Sequence, residues 1–368
     1  MTIGILYQDG LKEYDFGEGH PFRGDRYEFF YKFLMKELPK DKNYKILKAE
    51  PATDQDLLLI CDKNYIEFTR GYYEAAVYGI SYPGRFNEFH SPDNVPIGKP
   101  GNVEEAARLV VGQAKLACKL VQEGKFQKVI SIGGGLHHAM KNYGEGFCLY
   151  NDVAFCAKYL LQKYALERIL VLDTDAHHGN GTYDYFEEEP RVLFIDLHED
   201  PLALYPHTGF ASEIGSGAGR GYSINIPLPL YAGNDSYELA FESIIEPVTA
   251  EFQPQIIICN GGSDPHFADS LTNLGLTVAG FRMVGEKVQN MAEVCDGRVI
   301  DMIASGYTRA VLPASWLALI AGLAEFDIDI KEPVTVPVQY LEDQTLGRTQ
   351  QVIEEVKKYL GDYWESLR

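Results

Sequence analysis

The stretch from 168 to 182, RILVLDTDAHHGNGT, carries the side chains best suited to chemistry. The apolar run 169–172 predicts a buried strand, and Asp173, Asp175 and His177 follow at alternate positions. If the backbone stays extended, alternate residues share one face, so two carboxylates and an imidazole would converge there. This O/O/N set suits zinc or a comparable divalent ion without any thiolate. A solvated strand end is the plainer alternative, but the density of acids, histidines and glycines favours a metal site.

Polar or glycine-rich clusters also follow four other apolar runs. They are GGGLHH (133–138), Asp196 with His198, GGSDPHFAD (261–269) and ASGY (304–307). In an open parallel sheet, ligands bind at the carboxyl ends of the strands. The sequence therefore predicts one site assembled from five strand ends.

Apolar runs alternate with amphipathic segments over most of the chain. Strands are predicted at 128–132, 168–172, 192–197, 255–259 and 298–303, and helices at 102–124, 151–166, 235–253, 281–294, 310–324 and 349–367. Asn102 with Glu105 predicts a capping box, Gly124 a helix end, and Asn151 a second N-cap. The alternation predicts an α/β fold with a mostly parallel central sheet and helices on both faces. We expect one catalytic domain over 1–368, with a motif-bearing core at about 93–324.

The first hundred residues have a less regular pattern. A first strand is predicted within the opening ten residues, a helix over 19–36 and a short strand over 56–61, DLLLIC. The segment 72–101, rich in Gly, Pro, Asn and aromatic residues, predicts a long surface loop. The glycine-rich segment 215–221 resembles a phosphate loop but lacks a preceding strand, so we predict turns there.

Composition narrows the functional classes. The 368 residues include 33 Lys plus Arg and 53 Asp plus Glu, a formal charge of −20, which disfavours direct nucleic-acid binding and suits cationic ligands. The six cysteines form no CxxC pair, which favours a reducing compartment, and we expect a cytoplasmic location. The sequence contains no apolar stretch of transmembrane length, so no membrane association is expected. A homo-oligomer is compatible with the composition.

Six segments together resemble the zinc-dependent histone deacetylase family, including its prokaryotic deacetylase-like amidohydrolases and acetoin-utilisation relatives. They are SIGGGLHHAMKNYGEGFCLYND, LDTDAHHGNGT, DLHEDPLALYPHTG, GRGYSINIPLP, NGGSDPHFADSLTNLGLT and ASGY. The likeness is dense from about Asp93 to Tyr307. It implies the arginase-deacetylase fold and hydrolysis of an acetyl-lysine amide or a similar acetylated amine.

The resemblance also implies roles for individual residues. The zinc ligands would be Asp175, His177 and Asp264, and the catalytic groups would be His137, His138, Tyr307, Asp173 and Asn180. Asp173 would pair with His137 and Asn180 with His138. Substrate-binding positions would be Asp93 at the rim, Gly146, Phe147 and Tyr205 along an acyl-lysine tunnel, and Leu271 near its mouth. Structural potassium is also implied, at one site by Asp173, Asp175, His177, Asp196 and Leu197, and at a second by Phe186, Glu189, Val192 and Tyr222.

Amide hydrolysis requires a base for water, an acid for the leaving amine and a donor for the oxyanion. We assign His138 as the main base and acid, His137 as mainly electrostatic, and Tyr307 as the oxyanion donor. His198 and His207 are predicted to lie in loops or to support other side chains, without binding metal.

Some positions depart from the family's pattern. Leu136 replaces a common aromatic residue, the Tyr307 loop has fewer glycines, and Cys61 stands in a predicted early strand where a His is frequent. Asn180 in place of Asp is typical of the second class and of many prokaryotic members. These departures affect the shape of the rim and the choice of substrate, and they leave the ligand set complete.

Two other functional classes fit the sequence less well. A dinuclear manganese ureohydrolase would need more carboxylates in the cluster, and a non-catalytic acyl-ligand binding protein would not need the histidines and the tyrosine. Within the deacylase class, the substrate can be an acetylated protein, a peptide, an acetylpolyamine or a small metabolite amide.

Overall fold

In the part of the chain that the structure describes, eight strands form one sheet at the centre of the molecule. The computed structural model describes residues 2–39, 43–80 and 83–368. The strands are β1 (Ile3–Leu6), β2 (Tyr44–Leu47), β3 (Lys128–Ile132), β4 (Ile169–Asp173), β5 (Val192–Glu199), β6 (Ser223–Leu228), β7 (Ile256–Gly262) and β8 (Val299–Ser305).

The spatial order of the strands is β2-β1-β3-β8-β7-β4-β5-β6, and all neighbours are parallel. The predicted parallel sheet is therefore confirmed. The pairing sets Asp173 beside both Asn260 and Asp196, so the polar clusters meet at one edge of the sheet.

Two strands were not predicted as such. The four residues of β2 lie at the sheet edge and are partly exposed, so their apolar pattern is weak. β6 forms the opposite edge and contains Pro227, which interrupts the pattern expected of a strand.

Helices pack on both faces of the sheet. They are α1 (Asp25–Glu37), α2 (Asp54–Leu57), α3 (Lys63–Val77), α4 (Phe86–Phe89), α5 (Val103–Gln122), α6 (Asp152–Lys163), α7 (Asn180–Phe186), α8 (Asn234–Ala240), α9 (Glu246–Phe252), α10 (Val278–Met291), α11 (Leu312–Ala324) and α12 (Leu346–Leu360), with one π turn, Phe241–Ile245, joining α8 to α9. Gln113 of α5 donates to the Ser131 hydroxyl on one face, 3.1 Å away. On the other face, the Asp301 side chain borders a small cavity that is also lined by residues of α10 and α11.

The predicted strand over 56–61 is wrong. Thr53 and Asp56 form a capping box, in which the Thr53 hydroxyl accepts from the Asp56 N–H at 3.2 Å and Asp56 accepts from the Thr53 N–H at 3.0 Å. The segment is the short helix α2 followed by turns, with Leu57 and Ile60 buried three residues apart. Cys61 accordingly lies in a turn region and not in a strand.

The predicted long loop at 72–101 is also partly wrong. Residues 72–77 complete α3, and α4 lies further along; residues 81 and 82 fall outside the described part. The aromatic residues that suggested a loop pack on each other, with the Tyr72 and Phe86 ring centroids 4.5 Å apart and both side chains buried.

Of the two predicted N-caps, one is confirmed. The Asn151 side chain accepts from the Ala154 N–H at 2.8 Å at the start of α6. Asn102 occupies the N-cap position of α5, but its side chain makes no cap hydrogen bond, so the predicted capping box with Glu105 does not form.

The apolar runs of the central strands are buried, and all six cysteines are buried and free, as expected of small hydrophobic residues. The glycine-rich segment 215–221 forms turns around a single 3₁₀ turn at Gly217–Gly219. Within the described residues, no helix combines the length and apolar content needed to cross a membrane.

Candidate metal centre and active site

Asp175, His177 and Asp264 form a buried cluster whose potential ligand atoms lie within 4.8 Å of one another. The His177 Nδ1 atom lies 3.1 Å from Asp175 Oδ1 and 3.0 Å from Asp264 Oδ2. β4 ends at Asp173, so the backbone does not stay extended through residue 177, which was the condition for these side chains to share one face of a strand. A bend instead aims the two side chains, supported by the Asp175 N–H donating to Asp173 and the His177 N–H donating to Asp175.

Asp264 reaches this cluster from the end of β7. The Ser305 hydroxyl of β8 donates to Asp264 Oδ1 at 2.6 Å, which leaves Oδ2 facing His177. The cluster is therefore built by three strands that are adjacent in space but distant in sequence.

The charges of the cluster favour a bound cation. Burial would lower the pKa of His177, but the carboxylates of Asp175 and Asp264 outweigh burial and raise it to about 10. Burial and the Asp175 carboxylate raise the pKa of Asp264 to about 8. Two buried carboxylates this close require a positive partner. An O/O/N set of three protein donors fits a catalytic divalent ion such as zinc, which keeps its fourth position for water or substrate.

His137 lies beside this cluster and is held by Asp173. The His137 Nδ1 atom lies 2.8 Å from Asp173 Oδ2, and the Asn260 amide donates to both Asp173 oxygens at 2.9 Å. Burial would lower the pKa of His137, but Asp173 and then Asp175 raise it to about 9. His137 is therefore suited to remain an imidazolium at neutral pH.

His138 has the opposite electrostatic surroundings. Its Nδ1 atom lies 2.7 Å from Asn180 Oδ1, and its Nε2 atom lies 3.1 Å from the His137 Nε2 atom. Burial, then the neighbouring His137 and His177, hold the pKa of His138 well below its ordinary value. The two adjacent histidines thus differ in charge because only one of them has a carboxylate partner.

Tyr307 follows β8 and faces the cluster. Its ring centroid lies 6.3 Å from that of His177 and 6.0 Å from that of Phe147. Gly306 has φ +121°, and a Cβ there would lie 1.8 Å from the Ser263 hydroxyl, so only glycine fits. Burial, followed by Asp264 and Asp175, raises the pKa of Tyr307 well above its ordinary value. The hydroxyl therefore keeps its proton and can donate.

Among the predicted substrate-binding residues, Asp93, Gly146 and Tyr205 contact one another or the His138 ring. Asp93 accepts from the Gly146 N–H at 2.9 Å, and a Cβ at Gly146 would lie 2.2 Å from the His138 ring. The Tyr205 ring centroid is 5.2 Å from that of His138. Leu271 is exposed and lies outside these contacts, although its N–H donates to Asp269 at 3.0 Å.

The residues predicted for potassium fall into two groups. The first lies around β4 and β5, where the buried Asp196 carboxylate accepts from the Gly179 N–H at 2.8 Å. The second lies where the turn after α7 enters β5, and the Phe194 N–H donates to the Tyr222 carbonyl at 2.9 Å. Main-chain carbonyl and carboxylate oxygens are ligand types that suit potassium. Both potassium sites stay predictions.

Neither additional histidine joins the metal cluster. His198 lies inside β5, with its Nδ1 atom 2.6 Å from Asp196 Oδ1 and its Nε2 atom 2.9 Å from the Gly209 carbonyl. His207 lies in a loop, with Nδ1 2.9 Å from the Pro201 carbonyl. The prediction that they support other groups agrees with these contacts.

Several residues that shape the centre were not singled out from the sequence. Arg26 donates to the Ala304 and Gly306 carbonyls, at 3.2 and 2.8 Å, and Asp269 accepts from the Tyr307 N–H at 2.7 Å. Of these and similar supporting residues, the sequence could have indicated only Asn260, Asp269 and Ser305. They lie at the ends of β7 and β8 or within the polar cluster after β7. Arg26 is some 280 residues from its partners, and no local pattern marks it.

An eight-stranded parallel sheet with a buried acid–histidine cluster beside paired histidines and a tyrosine is typical of a metal-dependent hydrolase. Residues 20–323 match the histone deacetylase domain, and the chain belongs to the histone deacetylase family, whose members hydrolyse amide bonds. It is 34% identical to a probable deacetylase of Archaeoglobus fulgidus, over all of both chains. It is 35% identical to the acetoin utilization protein AcuC of Staphylococcus xylosus, covering 87% of this chain and 83% of that protein.

Two further comparisons concern the family and the fold, respectively. The AcuC protein of Bacillus subtilis is 33% identical over 85% of this chain and 79% of its own length. The crystal structure of the HDA15 HD domain superimposes with a TM-score of 0.82 at 24% identity, covering 100% of this chain and 97% of that one. The predicted arginase-deacetylase fold is thereby confirmed.

Proposed function

We propose that this protein is a zinc-dependent deacylase that hydrolyses acetyl-lysine, in a protein or peptide, or a similar acetylated amine. The observation that carries the proposal is the buried cluster of Asp175, His177 and Asp264 within reach of His137, His138 and Tyr307. A zinc ion held by these three ligands would activate a water molecule and polarise the amide carbonyl.

In this proposal His138 is the main general base and acid. Its low pKa leaves a neutral imidazole at neutral pH, which can take a proton from the attacking water and return it to the leaving amine. His137 stays protonated beside Asp173 and stabilises the negative charge that develops on the substrate.

Tyr307 supplies the oxyanion donor. Its hydroxyl keeps its proton, and the contact with Phe147 orients the ring. The hydrogen bond to the substrate oxygen strengthens as that oxygen becomes negative, so the donor acts mainly in the transition state.

The substrate would enter between Phe147 and Tyr205, with its backbone held by Asp93 at the rim and Leu271 near the mouth. An acetylpolyamine or a small metabolite amide is the alternative substrate. The net charge of −20 suits cationic substrates of either kind, and we do not expect direct nucleic-acid binding.

We further propose that the whole chain is one catalytic domain with structural potassium at one or both predicted sites, and that it acts in the cytoplasm. A homo-oligomer is compatible with this proposal.

The test is a turnover panel of acetyl-lysine peptides, acetylspermidine and longer acyl-lysines, measured with zinc-loaded protein. Hydrolysis of at least one acylated amine, abolished by a chelator and restored by zinc, is the expected result. A zinc-replete, folded protein that hydrolyses none of them would overturn the proposal.

A further inference from the structure

Asn180 lies between His138 and a third side chain, Glu145. The Asn180 Oδ1 atom faces His138 Nδ1 at 2.7 Å, and the Asn180 Nδ2 atom donates to Glu145 Oε1 at 2.5 Å. The Glu145 side chain is half-buried beside the proposed tunnel. A three-residue hydrogen-bond chain therefore begins at the imidazole and ends on a carboxylate.

The chain favours one tautomer of His138, the one that carries its proton on Nδ1. Burial raises the pKa of the Glu145 carboxyl; in its ionised form this group can only accept, and it then holds the amide –NH₂ of Asn180 on its own side. The Asn180 carbonyl then faces His138, and because a carbonyl can only accept, His138 must be protonated at Nδ1. The remaining nitrogen, Nε2, keeps its lone pair, which can accept from the protonated His137 3.1 Å away and is the form a general base requires.

The protonated His137, whose Nε2 atom lies 3.1 Å from His138 Nε2, favours the same tautomer, but Asn180 alone does not fix the rotation of its own amide. The oxygen and nitrogen of an amide are nearly equal in size, so rotation by half a turn would fit the same space. The rotated amide would present –NH₂ to His138 and favour the tautomer with its proton on Nε2. That tautomer has no lone pair directed toward the reacting centre.

Hydrogen bonds hold the backbone on both sides of Glu145, so the point from which its side chain extends is constrained. The Gly144 N–H donates to the Phe89 carbonyl at 2.8 Å, and the Gly146 N–H donates to Asp93 at 2.9 Å. Both glycines contact neighbouring side chains so closely that a Cβ would collide, at Gly146 with the His138 ring.

We propose that Glu145 is a positioning residue for the deacylation reaction, which orients the Asn180 amide and thereby fixes His138 in its Nδ1-protonated tautomer. This inference rests on the proposed function for its kinetic consequence. The tautomer itself can be measured without any substrate.

The direct test is ¹⁵N NMR of zinc-loaded protein with labelled histidine, with His138→Ala to assign the signals. The wild type should show the Nδ1–H tautomer of His138, and Glu145→Leu should shift His138 toward Nε2–H. An unchanged tautomer in a folded Glu145→Leu protein overturns the proposal.

The kinetic test is a double-mutant cycle with Asn180→Asp. Glu145→Leu should lower kcat about 10²-fold with KM nearly unchanged, at the low end of the range for general acid–base groups. Glu145→Gln keeps the size and an acceptor, and its loss should be smaller.

In the Asn180→Asp background the effect should change sign. The introduced carboxylate accepts from His138 in either rotation, and Glu145 then only repels that carboxylate, so adding Glu145→Gln should raise kcat. An equal loss in both backgrounds would show that Glu145 acts elsewhere. If the wild-type protein hydrolyses no acylated amine, the proposed function fails while the tautomer measurement still decides this inference.

Discussion

The Asp269 carboxylate accepts the backbone N–H of Tyr307 at 2.7 Å and that of Thr308 at 3.2 Å. Asp269 belongs to the same loop as Asp264, so one carboxylate links the cluster after β7 to the loop that presents the tyrosine. The Tyr307 ring is thus positioned through its main chain, relative to the residue proposed to bind zinc.

We expect Asp269→Ala to lower kcat about tenfold or more, because it frees the Tyr307 backbone while the zinc ligands stay in place. Loss of the oxyanion donor itself commonly lowers turnover ~10²–10³-fold, which sets the upper limit of the effect. The measurement is steady-state kinetics with zinc analysis. The exposed Asp362→Asn is the control. Full activity in Asp269→Ala would show that Tyr307 is held adequately by Arg26 and Gly306.

Asp264→Ala should abolish both zinc binding and amide hydrolysis, because it removes one of three deprotonated ligands. Metal analysis of the dialysed protein gives the stoichiometry, and circular dichroism tests that the fold is retained. Stoichiometric zinc with full activity in this variant would disprove the ligand assignment.

His138→Ala should remove most turnover and keep zinc bound, since the imidazole carries protons and is not a ligand. General acid–base groups contribute ~10²–10⁴-fold. His137→Ala is the matched comparison and should have a smaller effect or a different pH dependence. Loss of metal from the His138 variant would mean that the roles are misassigned.

Tyr307→Phe keeps the ring and removes only the hydroxyl. Zinc content and stability should hardly change, while kcat falls ~10²–10³-fold, roughly 3–4 kcal/mol, with little change in KM. A zinc-replete variant with wild-type kcat would leave Tyr307 with a packing role alone.

Asp301 provides a test of stability against pH. Its side chain is buried at a small cavity lined by Cys259, Val284 and Leu319, and burial raises its pKa from 3.8 to about 7. Between these values the unfolded chain is ionised while the folded protein keeps the proton. This group therefore makes the free energy of unfolding decrease as pH rises from about 4 to 7, and contributes no further change above that.

Replacing Asp301 by Asn should remove this dependence. Each pKa unit corresponds to about 1.4 kcal/mol, so between pH 5 and pH 8 the wild type should lose roughly 3 kcal/mol more than Asp301→Asn. Urea unfolding at the two pH values, with Asp362→Asn as an exposed control, measures the difference. Parallel pH profiles for wild type and Asp301→Asn would refute the buried-carboxyl account.

The sequence by itself determined the alternation of buried strands and amphipathic helices, because long apolar periods are local properties of the chain. It also indicated that Asp173, Asp175 and His177 lie at a strand end, because they directly follow a short apolar run. The strand-end pattern marked the clusters that contain Asp264 and Tyr307, and the resemblance to a known family supplied the roles of these two residues.

The local sequence pattern could not distinguish a strand from a helix where the apolar run was short. DLLLIC is compatible with a strand or a helix, and the Thr53–Asp56 capping box together with the packing of Leu57 and Ile60 decided for a helix. The backbone also does not stay extended to residue 177, and a bend after β4 brings Asp175 and His177 together.

Only the tertiary structure decided which side chains hold the catalytic groups. The contacts of Glu145 with Asn180, of Ser305 with Asp264 and of Arg26 with Gly306 join residues 35, 41 and 280 positions apart. Such pairs depend on how parallel strands and their loops are brought side by side, and that arrangement is set by packing of the whole sheet. The sequence therefore named the reacting groups, and the fold determined their orientation and their charge.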